Sequence, residues 1–198
     1  GEQLYWAYEK NADGSMKPGS EYMTNDATVA AGCKYLQGSR IPDIYGSISS
    51  SLKFRGFDLG LLFTYSLGGK IYDSIYNAMM EPSFVGQTYH RNALRTWTAP
   101  GQRTDVPRTT TTASTQITDR YLVDASYFAV KNISLGYSLP KGVLGKVGIE
   151  SLRVYLSADS PWIFTHLKGM NPQASFTGST SYSYTPNRTF TLGVDLKF

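Results

Sequence analysis

Two histidines, one cysteine and scattered carboxylates are the residues of this 198-residue chain with the chemistry for catalysis or metal binding. Their spacing supports neither. His90 and His166 stand in separate loops, without the His-x-x-x-His or carboxylate spacing of a metal site. No serine has the sequence context of a nucleophile elbow, so a Ser-His hydrolase is set aside. Gly68-Gly69-Lys70 lacks the upstream glycine and the following Ser/Thr helix of a phosphate loop and reads as a loop-entry turn. Asp43, Asp73, Asp105 and Asp159 form no calcium-ligand ladder and are expected to be solvated loop carboxylates. Cys33 excludes an internal disulfide and a cysteine-based zinc site, and is expected as a buried or loop thiol. The expectation is a chain that is not an enzyme and takes no metal or cofactor.

Other residues suit binding better than catalysis. Tyr89, His90, Arg95 and Trp97 fall in one loop, and His166, Tyr182 and Tyr184 in another. Planar rings and forked donors of this kind suit a sugar or a peptide, although packing of the loops themselves uses the same side chains. Tyr5, Trp6, Tyr8, Tyr22 and Tyr35 pose the same alternative, ligand stacking against a local loop core or an aromatic girdle. The net charge of +4 is spread over loops and turns without a Lys/Arg cluster, which argues against nucleic acid as a partner.

The elements that must position these loops are strands. From Thr189 to Phe198 the residues Phe190, Leu192, Val194, Leu196 and Phe198 alternate with Thr, Gly, Asp and Lys, and a period of two places one set on each face of a sheet. Ile44 to Phe54 and Phe57 to Gly68 alternate similarly around a tight Arg55-Gly56 turn, with aromatic residues toward both ends. A second hairpin is expected near 126–139 and 151–165. On its first strand Tyr127, Ala129, Ile133, Leu135, Tyr137 and Leu139 are assigned to one face, broken by Lys131. On its second, Leu152, Val154, Leu156 and Ala158 alternate cleanly as far as Asp159. Pro140 to Glu150 connects the two strands.

Between the strands lie two long loops, near 69–124 and 166–187. The first is expected to hold a helix over Ile71 to Met80, a turn at Glu81-Pro82, a helical turn over Tyr89 to Trp97, and irregular chain through a Thr run that follows. Residues 1–43 are polar and turn-rich, with a hairpin expected around Asn11 to Ser15. No apolar run approaches the roughly 20 residues of a membrane-spanning helix, whereas a barrel strand crosses with about 9–11 alternating residues. With 15 Tyr, 9 Phe, 3 Trp and 19 Gly among only 17% charged residues, the composition favours strands and interfacial aromatics over helix bundles. The fold class expected is all-β: about five antiparallel strands of a large transmembrane barrel, with short turns at one end and long loops at the other. A porin-type barrel and a soluble all-β carbohydrate-binding module remain the alternatives.

Several blocks carry a family resemblance. IPDIYGSISSSLKFRGFDLGLLFTYSLGGKIYD (Ile41 to Asp73), RTWTAPGQRTDVPR (Arg95 to Arg108), DRYLVDASYFAVKNISLGYSLPKGVL (Asp119 to Leu144), IESLRVYLSADSPWIFT (Ile149 to Thr165) and NRTFTLGVDLKF (Asn187 to Phe198) resemble the C-terminal end of SusC/RagA-like TonB-linked outer-membrane proteins. The resemblance implies a plugged barrel of about 22 strands, in which residues 44–198 supply the last five and residues 1–43 an extracellular region. It implies import of glycan or peptide oligomers beneath a SusD-like lipoprotein, in pairs that dimerise. The plug and the TonB-contacting segment would precede this stretch, and the start of the chain suggests a mature or partial polypeptide. It further implies that Phe190, Leu192, Val194, Leu196 and Phe198 form a signal for the barrel-assembly machinery.

Overall fold

In a computed structural model of the chain, residues 1–81, 86–109, 117–144, 148–168, 171–173, 176–180, 182 and 184–198 are described. Pro82 of the expected Glu81-Pro82 turn and most of the Thr run lie outside these residues. The elements are β1 (Tyr5–Ala7), β2 (Tyr22–Thr24), α1 (Ala27–Gly32), β3 (Ile44–Phe54), β4 (Phe57–Leu67), β5 (Lys70–Tyr72), α2 (Ser74–Met80), β6 (Leu122–Asp124), β7 (Tyr127–Ser138), α3 (Lys141–Leu144), β8 (Ser151–Thr165) and β9 (Thr189–Lys197). By packing, the chain divides into two units, Gly1–Gly38 with Asp73–Leu122, and Ser39–Tyr72 with Val123–Phe198. No described helix is long and apolar enough to cross a membrane, which says nothing of strands.

The second unit is built on an antiparallel sheet of order β3-β4-β7-β8-β9. Its first hairpin closes on Arg55 and Gly56 with φ of 47° and 89°, the two left-handed residues of a turn whose twist matches the strands it joins. Every residue of β3 then opposes one of β4, from Phe54 against Phe57 to Ile44 against Leu67. The register carries like residues across all five strands. Leu52, Leu59, Leu135, Leu156 and Leu192 stand opposite one another in sequence, a row of leucines on one face. Ser51, Gly60, Ser134, Ser157 and Thr191 make the next row, on the other face.

One expectation about faces is overturned. Between β4 and β7 the register shifts so that Leu62 faces Asn132 while Phe63 faces Val130, leaving Lys131 as an extra residue. Between β7 and β8 it shifts again, Val130 facing Trp162 and Asn132 facing Asp159. The extra Lys131 turns the side chains of β7 over, whereas the two residues Ser160 and Pro161 leave Ala158 and Trp162 of β8 on one face. Phe128 and Val130 therefore join Ile133, Leu135 and Tyr137 on the apolar face, and Tyr127 and Ala129 go to the polar one. The sequence assignment had Tyr127 and Ala129 on the apolar side because strict alternation counts through Lys131. Past Asp159, Ser160 takes φ of 50° and the strand continues to Thr165.

The apolar face is exposed: Ile48 by 54%, Leu156 by 53%, Leu192 by 74% and Phe190 by 68%. Removing one such side chain from water is worth about 1.5–3 kcal/mol, so a whole face left uncovered requires an apolar surrounding or a partner. Strand length fits the first. Eleven residues at about 3.3 Å rise, tilted by about 45°, project to about 25 Å, the height of a barrel's lipid-facing band. A small buried cluster of Ile71, Ala125 and Leu167, with Val123 against it, lies beyond the strand ends.

The first unit is built from short pieces. β1 pairs with β2, and Lys10 bridges Met16 around Asn11 to Ser15. Asp26 caps α1 by accepting from the amides of Thr28 and Val29, and Cys33, at the end of that helix, is buried. The helix expected over Ile71 to Met80 starts later, at Ser74. Asp73 accepts from the Tyr76 amide and caps α2, whereas Ile71 and Tyr72 belong to β5. The helical turn expected over Tyr89 to Trp97 is a single 3-10 stretch, Arg91–Arg95. In the second unit, the connection from β7 to β8 contains α3, whose Leu144 is buried.

Candidate functional site

The polar face of the five-stranded sheet is organised at two levels. Near the short turns, Lys53, Asp58, Gly136, Tyr155 and Gly193 oppose one another in one row. Arg153, in the adjacent row opposite Asp195, reaches over Gly136 to Asp58. It donates from Nε to Oδ1 at 3.0 Å and from Nη2 to Oδ2 at 2.6 Å, a two-pronged fork, and from Nη1 to Asp195 Oδ2 at 3.2 Å. Its guanidinium also lies 4.9 Å from the centre of the Tyr155 ring. Glycine is what permits this: a Cβ on Gly136 would meet Asp58 Oδ1 at 2.5 Å and Arg153 Nη2 at 2.6 Å, and one on Gly193 would overlap the Tyr155 ring. The result is a hydrogen-bonded, charged network across four strands. Higher up, Asn132 donates to Ser157 Oγ at 3.1 Å and to Asp159 Oδ1 at 2.6 Å.

Near the long loops, the extra residue Lys131 donates from Nζ to Gln173 Oε1 at 2.6 Å, and Gln173 donates to Thr64 Oγ1 at 3.3 Å. The bulge thus ties the loop after β8 down onto the polar face. At the same end the Gly68 amide donates to Ser126 Oγ at 2.9 Å, and the Ser126 amide to Asp124 Oδ1 at 2.7 Å. Hydrogen bonding from Ser126 holds Asp124 below the ordinary aspartate range. His166 is exposed beyond the end of β8, and Tyr182 and Tyr184 are exposed in the loop that follows.

In the first unit, His90 accepts the Asn92 amide on Nδ1 at 3.2 Å, capping the 3-10 turn, and its ring meets the Tyr76 ring edge-on at 5.0 Å. Asn92 donates to the Tyr76 hydroxyl at 2.7 Å. Arg95 pairs with Asp105 at 3.1 Å, and the Trp97 amide donates to the Val106 carbonyl at 3.0 Å. Tyr121 donates to Glu81 Oε1 at 3.1 Å, and burial raises the Glu81 carboxyl above its ordinary range against that hydrogen bond. Tyr89 precedes this cluster and is exposed. His90 and Arg95 are therefore engaged in holding their own segment. His166, Tyr182 and Tyr184 belong to the other unit.

The assembly candidates form one stripe. Phe190, Leu192, Val194 and Leu196 all lie on the apolar face of β9, and Phe198 follows its end, all exposed. Neither the Arg153 fork nor the Lys131 tether was named from the sequence as a site. Their signals were present as glycines opposite large side chains and as the lysine that breaks an alternating strand, but the pairing needed the register.

A long-stranded antiparallel sheet with one uncovered apolar face and one hydrogen-bonded polar face defines a piece of a β-barrel wall. No family model matches the chain. A TonB-dependent receptor of Formosa agariphila is 30% identical over 199 residues, covering 93% of this chain and 20% of the relative. The TonB-dependent receptor SusC of Bacteroides thetaiotaomicron is 24% identical over 205 residues, covering 98% of this chain and 19% of the relative. A structure of the RagAB peptide importer in the closed-closed state superposes with a TM-score of 0.81 at 26% identity, over 100% of this chain and 21% of that one. The chain is a SusC/RagA-like segment of a TonB-dependent receptor, all-β and barrel-forming. It spans about a fifth of the length of the relatives it matches.

Proposed function

We propose that residues 44–198 are the C-terminal barrel wall of an outer-membrane importer that takes up glycan or peptide oligomers, energised through TonB and loaded by a SusD-like surface lipoprotein. The observation that carries this is the uncovered apolar face continued in register across β3, β4, β7, β8 and β9, with the opposite face polar. Lipid on one side and a lumen on the other suit both faces at once. The sheet has two edges, β3 and β9, whose outer backbone groups need neighbouring strands in a hydrocarbon setting. Those strands, the plug and the TonB-contacting segment belong to the remainder of the barrel protein.

In this reading the wall catalyses nothing. Its strands face lipid and line the channel, while the loops at 69–124 and 166–187 help form the external vestibule. Tyr89, His90, Arg95, Trp97, His166, Tyr182 and Tyr184 are the proposed contacts for substrate or lid. Phe190 to Phe198 present the stripe that the barrel-assembly machinery recognises, and two importer–lipoprotein pairs associate as a dimer. The similarity to a structure named as a peptide importer supports peptides as one substrate class, and the relation to SusC supports the SusD-like partner.

The test is fractionation of native cells with intact-mass analysis. A heat-modifiable outer-membrane polypeptide several times longer than this 21.9 kDa chain, needing detergent for extraction, is expected. Pulldown in detergent should bring a surface lipoprotein with it. A detergent-independent soluble species would replace the barrel by a soluble binding module, and ungated uptake without TonB would replace the importer by a porin.

A further inference from the structure

The double bulge that makes Lys131 an extra residue also makes a pocket. Its volume is about 440 Å³, within the roughly 300–1,000 Å³ range of small-molecule sites, and all of its lining belongs to the sheet unit. Lys131, Lys168 and Arg188 contribute three cations to the lining, and among the described residues no carboxylate lines it. Thr165, Asn171 and Thr185 add neutral hydrogen-bonding groups, and Ile163 and Leu167 add an apolar part. Lys131 is placed here by backbone geometry, because it is the residue left without an opposite on β4 between Val130 and Asn132. Its bond to Gln173 leaves donors of the ammonium for a further acceptor.

We propose that this pocket is an oxyanion subsite that holds a carboxylate or similar acidic group of the transported oligomer at the outer end of the polar wall. The proposal deepens the importer reading and rests on it for the source of the anion. Lys131 and Arg188 beside one partly apolar cavity favour negative charge on a carbon framework, and the neutral donors suit the remaining oxygens of the acid. A neutral oligomer of the same shape brings no charge to Lys131 and Arg188, so the pocket discriminates by charge.

The test uses the full-length receptor in detergent, titrated calorimetrically with trigalacturonate and with its methyl ester, which keeps the shape and removes the charge. The acid should bind about tenfold or more tightly than the ester, and Lys131→Gln with Arg188→Gln should erase that preference while Lys131→Arg retains it. Heat-modifiable mobility of each variant shows that the barrel is formed. Equal affinity for acid and ester, or a preference that survives the double substitution, overturns the subsite. If trigalacturonate shows no preference while the double substitution strips co-purifying lipopolysaccharide phosphate, the anion is a lipid headgroup and the substrate assignment is overturned. The assay needs no energised membrane. A receptor that prefers the acid but imports nothing would therefore sink the importer reading alone.

Discussion

Arg153 reaches Asp58 across a strand that intervenes between them, and does so because the residue on that strand is Gly136. β7 separates β8 from β4, yet the guanidinium forks onto the carboxylate at 2.6 and 3.0 Å. The charges of three strands are thereby joined, since Asp195 on β9 takes the third bond. The glycine holds open the space through which they meet.

Gly136→Val fills that space. Its side chain meets Asp58 Oδ1 and Arg153 Nη2 at the distances that force the fork apart, and the cost is expected at about 1–3 kcal/mol, the usual range for overpacking. Urea unfolding of the folded barrel in detergent measures it. The same substitution in an Arg153→Ala background should cost less, and equal costs in the two backgrounds would show that the fork is not what Gly136 accommodates.

Gly193 makes a parallel case on the outermost strand, where the Tyr155 ring lies over its backbone. Gly193→Leu is expected to destabilise by about 1–3 kcal/mol and to displace the ring. Tyr155→Ala should relieve most of that penalty. Additivity of the two substitutions would contradict the stacking.

The two faces differ in what they tolerate. Ile133 is at the middle of β7 on the apolar face, and a lysine there should cost about 2–4 kcal/mol, as for a cation facing lipid near the midplane. Asn132→Lys, one residue earlier on the polar face, should leave folding and outer-membrane level close to those of the parent. Similar losses for both substitutions would remove the lipid assignment.

Deletion distinguishes the extra residue from its neighbours. Removing Lys131 leaves Phe128, Val130, Ile133 and Leu135 in regular alternation on one face, so a folded barrel is expected. Removing Ser134 instead turns Leu135 and Tyr137 to the polar side and should sharply reduce heat-modifiable barrel in the membrane. The Lys131 deletion should also lose the acid preference of the pocket.

Glu81 gives the first unit a pH dependence. Burial raises its carboxyl, so the folded form holds the proton more tightly than the unfolded form does. The stabilisation is fully present below the ordinary glutamate range and is lost as pH rises through the raised value. Amide exchange around α2 should quicken over that window, and Glu81→Gln should flatten the response. An unchanged slope in the variant would assign the effect elsewhere.

The long alternating strands determined their own existence. In Ile44 to Leu67 and Thr189 to Lys197, a period of two and a turn of Arg55-Gly56 fix both the strands and the faces, because successive side chains must point to opposite sides. The sequence likewise excluded membrane-spanning helices and a disulfide framework. Alternation is a local property, however, and it failed where one residue is inserted. Only pairing with β4 shows that Lys131 is extra, and only pairing with β4 and β8 decides the face of Phe128 and Val130. The row of Leu52, Leu59, Leu135, Leu156 and Leu192 and the reach of Arg153 over Gly136 were equally beyond local reading. Strand register is a relation between segments as far apart in sequence as Asp58 and Asp195. Hydrogen bonding between strands sets that relation, and with it the polar wall and the pocket beside Lys131.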